Sequence, residues 1–237
     1  NPISAESIFS DLPNIKEPQI IGESIVWLEQ RPTEGGRTTA LIRPIAEPEF
    51  SPIELTPFPM NLKTNFHGYG GAPLSLAELG DKLVLVWFDS NTRYLWQQTW
   101  DGFLDFCELK SPYLYPENDP LCLLESNDVC LADGIIDLNA NKWIGLMERE
   151  SEDFIVQLFL FKQYQKPKVL YKARDFIGYL SLSYDNKYLA WVEWQSPYLP
   201  WDVSQICCGK LTSLGNILDI RVVAGGIKNN KRISVSQ

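Results

Sequence analysis

A short turn followed by an almost unbroken apolar strand recurs along this chain, and the recurrence limits the folds open to it. The clearest copy is YDNKYLAWVEW at residues 184–194. Tyr184, Asp185, Asn186 and Lys187 read as a turn, because Asn and Asp tolerate left-handed backbone and bond their own main chain. Residues 188–194 are mostly aromatic or apolar, which makes a strand with too few polar breaks for an exposed face. The preceding run, YLSLS at 179–183, alternates apolar and polar, so strand, turn and strand form a hairpin. Weaker copies precede it. Gly22, Glu23 and Ser24 lead into IVWL at 25–28, and Gly80, Asp81 and Lys82 into LVLVWF at 83–88. Asn139, Ala140, Asn141 and Lys142 lead into WIGLM at 143–147. The spacing is roughly 45–60 residues, longer than the ~40–45 of a four-stranded propeller blade, so loops carry the excess. A second β-rich run follows each copy, at 38–43, 93–100, 154–161 and 203–208. A short third one follows in most, such as KVLY at 168–171. No single unit of this kind buries both its faces, whereas an array of them does. The expected fold is therefore all-β. It is a partial β-propeller of about four blade units, at 18–60, 72–112, 132–175 and 176–226, within one domain spanning 1–237. Helix signals are poor. SLAEL at 75–79 is the best and is too short to stand alone, and residues 4–9 are read as one helical turn.

Composition excludes several classes. Apolar residues make up 45% of the chain, which rules out disorder. Sixteen prolines and fifteen glycines spread along it suit short strands joined by turns. The net charge of −9 argues against nucleic acid, which requires basic patches, and disfavours anionic membrane surfaces. No apolar run reaches the ~18 residues of a membrane span, and no signal peptide opens the sequence, so a cytoplasmic location is expected. The five cysteines, Cys107, Cys122, Cys130, Cys207 and Cys208, are odd in number and irregularly spaced. They form no disulfide framework and no C-x-x-C metal pair. They read as reduced apolar fillers, with Cys207 and Cys208 pointing to opposite faces of one strand. No metal and no cofactor is expected.

Three stretches hold the candidate functional residues. NFHGYGGA at 65–72 carries the only histidine and the densest glycine cluster. Its H-G-x-G is of the lipase oxyanion-loop type, but that chemistry needs a G-x-S-x-G elbow, which is nowhere in the sequence. The simpler reading is a glycine-permitted turn with His67 bonded to backbone at the entry to the second unit. Asp133 and Asp137 pair two carboxylates four residues apart. That spacing serves acid–base work on a sugar or cation binding, or, on the simpler reading, two turn-makers that bond backbone amides. QSPYLPWD at 195–202 sets two prolines and two aromatics in one rigid loop, which either lines a pocket or packs over the blade edge. The residues singled out for substrate or partner binding are Trp194, Tyr198, Trp201 and Asp202, with His67 and Tyr69. Residues 111–130 read as a long loop, and 227–237 as a connector.

Residues 183–194, followed by Pro197, Pro200, Trp201 and Asp202, resemble a segment of the N-terminal β-propeller of prolyl-oligopeptidase-type serine peptidases. The acylaminoacyl-peptidase or dipeptidyl-aminopeptidase-like branch is the nearest. Residues 34–37, 67–71, 132–137 with 141–145, and 223–226 resemble the same propellers in the same order. The chain departs from the pattern at Gly68, where the family more often has an acid, and at Tyr184, where it usually has proline. The resemblance implies a propeller that covers a C-terminal α/β-hydrolase domain and admits small or unfolded peptides. The family's catalytic Ser, Asp and His lie in that second domain, so no catalytic residue is assigned to this chain. The implied function is the non-catalytic, substrate-gating portion of a serine peptidase. Its partners would be a peptide substrate or the hydrolase domain. The alternative is a stand-alone propeller that binds a peptide or protein partner. Four blades also leave open faces and strand edges, which points to self-association or to an open arc with mobile ends.

Overall fold

Every turn-and-strand copy folds as the inner hairpin of an antiparallel sheet. The computed structural model describes residues 12–56, 58–229 and 231–235; the helical turn expected at 4–9 lies outside them. The first sheet runs in the order β1 (Asn14–Ile21), β2 (Ser24–Arg31), β3 (Arg37–Pro44) and β4 (Ile53–Glu54). The second holds β5 (Leu74–Leu79), β6 (Lys82–Asp89) and β7 (Tyr94–Asp101), with β8 (Tyr115–Pro116) and β9 (Leu121–Leu124) both paired to β7. The third holds β10 (Val129–Asp137), β11 (Lys142–Arg149), β12 (Glu152–Phe159) and β13 (Lys168–Lys172). The fourth runs from β14 (Phe176–Leu182) through β15 (Tyr188–Trp194) and β16 (Gln205–Leu211) to β17 (Ile217–Lys228) and β18 (Lys231–Ile233). These four sheets are the blades of a partial β-propeller. In the first two, a glycine with positive φ, Gly22 at 51° and Gly80 at 60°, opens the inner hairpin turn, as tight two-residue turns require.

Several local expectations change. SLAEL at 75–79 is extended as β5, because each of its residues pairs with β6; five residues of helical propensity do not outweigh a continuous ladder. A five-residue helix, α1 (Phe103–Cys107), instead buries Phe103, Phe106 and Cys107. The loop expected at 111–130 contains β8 and β9, and the connector expected at 227–237 folds back as β18. No helix among the described residues is long and apolar enough to cross a membrane.

Three cores fill the spaces between the four sheets. β6 divides its side chains by the two-residue period of a strand: Leu83, Leu85 and Trp87 enter the core facing the first sheet, and Val86 and Phe88 the core facing the third. β11 does the same, with Trp143 and Met147 on one side and Ile144 and Leu146 on the other. The Trp143 ring lies against Gly134 and Gly145, where a Cβ would approach it to 2.1 Å. Its Nε1 donates to Ser75 Oγ at 3.1 Å, tying the third blade to the second. The first strands converge. β10 lies against β5 on one side and β14 on the other, and β1 against β5. These four strands line the propeller axis.

A candidate ligand cavity on the propeller axis

Three of the axial strands carry the same defect at the same offset. β1, β10 and β14 each contain a bulge, opened by Glu17, Asp133 and Tyr179 with φ of 49°, 51° and 55°. Each of these residues stands five places before the first residue of its hairpin turn, Gly22, Leu138 or Tyr184. A bulge re-aims a side chain and interrupts the ladder, so all three residues line the axis. β5 has no bulge. The glycines before it, Gly70 and Gly71, line the axis in its place.

Asp133 locks the centre. Its Oδ1 accepts from the Ala72 amide at 2.9 Å and its Oδ2 from the Tyr179 amide at 3.1 Å. The Asp133 amide donates to Ala72 O at 2.9 Å. One carboxylate thus joins the second, third and fourth blades. Asp137 accepts from the Ala140 amide and from Asn186 Nδ2. Both aspartates bond main-chain amides, and Asp133 does so between blades.

His67 is not bonded to backbone through its ring. Its Nε2 lies 2.5 Å from Asp153 Oδ2, and both side chains are nearly fully buried. Asp153 also accepts from the Ile177 amide at 3.0 Å, and Glu148 accepts from the His67 amide at 2.7 Å. The rings of Phe176 and Trp194 meet the imidazole edge-to-face at 5.4 and 5.5 Å. A buried carboxylate is a costly neighbour unless paired, which explains why the connector before the second blade is drawn onto the third and fourth.

Between these groups lies a cavity of about 550 Å³, bordered by Glu17, His67, Tyr69, Asp133, Tyr179 and Trp194 among others. Glu17 Oε2 is buried and has no hydrogen-bond partner. Burial, reinforced by the Asp133 charge and opposed by Lys16, pushes the Glu17 carboxyl up to about 7. Partial burial, with the nearby Tyr179, Asp153 and Asp133, raises the Tyr69 hydroxyl, although the residue as a whole is 76% exposed at the cavity mouth. Among the described residues that line the cavity there is no lysine or arginine.

The structure divides the residues singled out from the sequence. His67, Tyr69 and Trp194 meet at the axial cavity. Tyr198 lines a second cavity of about 280 Å³ behind Trp194, with the Arg232 guanidinium 4.7 Å from its ring centroid. Trp201 is 61% exposed. Asp202 accepts from the Leu199 amide at 3.2 Å and shapes its own loop. Sequence reading missed Glu17, Tyr179 and Asp153. The signal for the first two was the offset of five residues from the turn.

The fold and its axial cavity define a β-propeller. No protein-family model matches the sequence, and no curated protein sequence matches it. Solved structures do. The crystal structure of puromycin hydrolase superposes with a TM-score of 0.78 at 20% identity, over 95% of this chain and 34% of that chain. A Mycobacterium tuberculosis puromycin-hydrolyzing peptidase gives 0.75 at 21% identity over the same shares. TolB from Acinetobacter baumannii gives 0.53 at 13% identity, over 93% of this chain and 45% of that one. The chain thus has the fold of about a third of the length of the two puromycin-hydrolyzing proteins. The resemblance to peptidase propellers read from the sequence is borne out at the level of fold.

Proposed function

We propose that this chain is the non-catalytic, substrate-gating propeller of a serine peptidase of the prolyl-oligopeptidase type. The supporting observation is the superposition on one third of puromycin hydrolase, together with a cavity on the axis where a peptide would pass. In this reading Tyr69, Trp194 and His67 border the passage. The Tyr198 and Trp201 loop offers an apolar surface to a hydrolase domain or a peptide. The free cysteines, of which Cys107, Cys122 and Cys207 are buried, fit a reducing, cytoplasmic setting. The purified chain is expected to bind short unstructured peptides with a change in Trp194 fluorescence, and to leave aminoacyl and acyl-aminoacyl p-nitroanilides intact. Turnover abolished by a serine-directed inhibitor would overturn the non-catalytic assignment. Failure of every short peptide to bind would overturn the gating assignment.

The outer strand of the fourth blade favours a second reading, a module that docks through its open end. Ile220, Val222, Val223 and Ile227 are each about half exposed along β17, which gives this strand a run of four exposed apolar residues. Sedimentation of the purified chain is expected to show concentration-dependent association that Val223→Lys weakens. A monomer at every concentration would sink this docking mode.

A further inference from the structure

We infer that the axial cavity is a binding site for a protonated amine, with Glu17 as its counter-ion; this deepens the peptide-gating reading and rests on it. The cavity presents two carboxylates, Glu17 and Asp133, and the rings of Tyr69, Tyr179 and Trp194. Each Asp133 oxygen already accepts one amide, from Ala72 and from Tyr179, so Asp133 is the partly satisfied carboxylate and adds its charge to the site. Glu17 Oε2 is the acceptor without a donor. A buried acceptor left unmet is costly, so a ligand that brings N–H groups to it is favoured. An anionic ligand would meet two like charges, whereas aromatic faces attract a cation.

The neighbouring cations do not fill this role. Lys63 borders the adjoining cavity with Glu17, but its Nζ donates to Gly36 O at 2.6 Å. Lys16 lies on the same strand as Glu17 and acts on it only through its charge. The remaining titratable groups facing Glu17 are Asp133 from β10, Tyr179 from β14, and His67 and Tyr69 from the connector. The cavity admits a few residues of extended chain, so the amine is either an α-amino end or a lysine side chain.

Calorimetry with three tripeptide amides separates the possibilities. One has a free amino end and no lysine (Gly-Ala-Phe amide). One is its acetylated form. The third is acetylated and carries a lysine (acetyl-Gly-Lys-Phe amide). At pH 8, at least one amine-bearing peptide should bind about tenfold or more tighter than the acetylated peptide without lysine; which one does so identifies the source of the amine. Glu17→Gln should erase the difference. Lysine binding should strengthen as pH rises through about 7, where Glu17 ionises. Gln19→Lys, which places an ammonium in the cavity lining, should block the amine-bearing peptides. It decides the matter if Glu17→Gln does not fold. Equal binding of all three peptides would overturn the amine site and leave the gating reading standing. No binding by any of them would overturn both. Undiminished preference in Glu17→Gln or Gln19→Lys would also overturn the amine site.

Discussion

Asp153 accepts from two elements that are far apart in sequence, the His67 ring and the Ile177 amide. Removing one member of a buried pair leaves the other without its partner, so Asp153→Ala should cost about 3 kcal/mol in urea unfolding. A loss under about 1 kcal/mol would show that the ring packing and the Glu148 bond to the His67 amide hold this connector without Asp153. Glu17 makes the opposite kind of prediction. Its carboxyl ionises near 4.5 when unfolded and near 7 when folded, so the folded state holds the proton more tightly. The resulting stability is present below about pH 4.5 and is lost as pH rises through about 7. Thermal melts of wild type and Glu17→Gln should therefore diverge upward through this window, with the variant the more stable above it. Parallel melts from pH 5 to 8 would refute the raised carboxyl. His67 and Tyr69 stood out in the sequence by rarity and by their glycines. Glu17 did not, because an acid beside a proline near a strand looks like any solvated edge residue.

The inner hairpins are where sequence and structure agree in most detail. β14, β15 and the turn between them fold as the alternation at 179–183, the Asp–Asn turn and the apolar run at 188–194 predict. β5 shows the limit, since SLAEL carries no strand pattern strong enough to be read without its partner β6. In β11, Gly145 stands where a side chain would meet the Trp143 ring, with Gly134 across from it on β10. Gly145→Ala should therefore destabilise by about 1–3 kcal/mol through overpacking. A neutral effect in denaturant titration would mean that the ring has room to move. The bulges of β1, β10 and β14 are also element-scale devices. Each turns one residue to the axis and shifts the alternation by one place, so that in β10 Leu131 before the bulge and Ile136 after it enter the same core.

Across the whole molecule, four sheets share three cores, so the middle blades are packed on both faces and the end blades on one. Hydrogen exchange should follow this order. Amides of β6 and β11 should be the slowest, and those of β1 and of β17 with β18 the fastest. Uniform protection in all four blades would indicate that the open faces are covered in solution, as the association proposed for β17 requires. A likeness to peptidases at 20% identity over a third of their length fits this arrangement, in which each blade depends on its immediate neighbours.

The sequence by itself determined that the chain is a row of β-hairpin units, because turn chemistry and apolar alternation act over a few residues and repeat. It also marked His67, Tyr69 and Trp194 as unusual. Only the tertiary structure decided that these three meet at one cavity, that Asp133 joins three blades, and that Glu17 is left without a donor. Those facts depend on contacts between residues distant in sequence, from 46 positions for Asp133 and Tyr179 to 127 for His67 and Trp194, made where separate sheets converge on an axis, and no local pattern encodes which side chains will meet there.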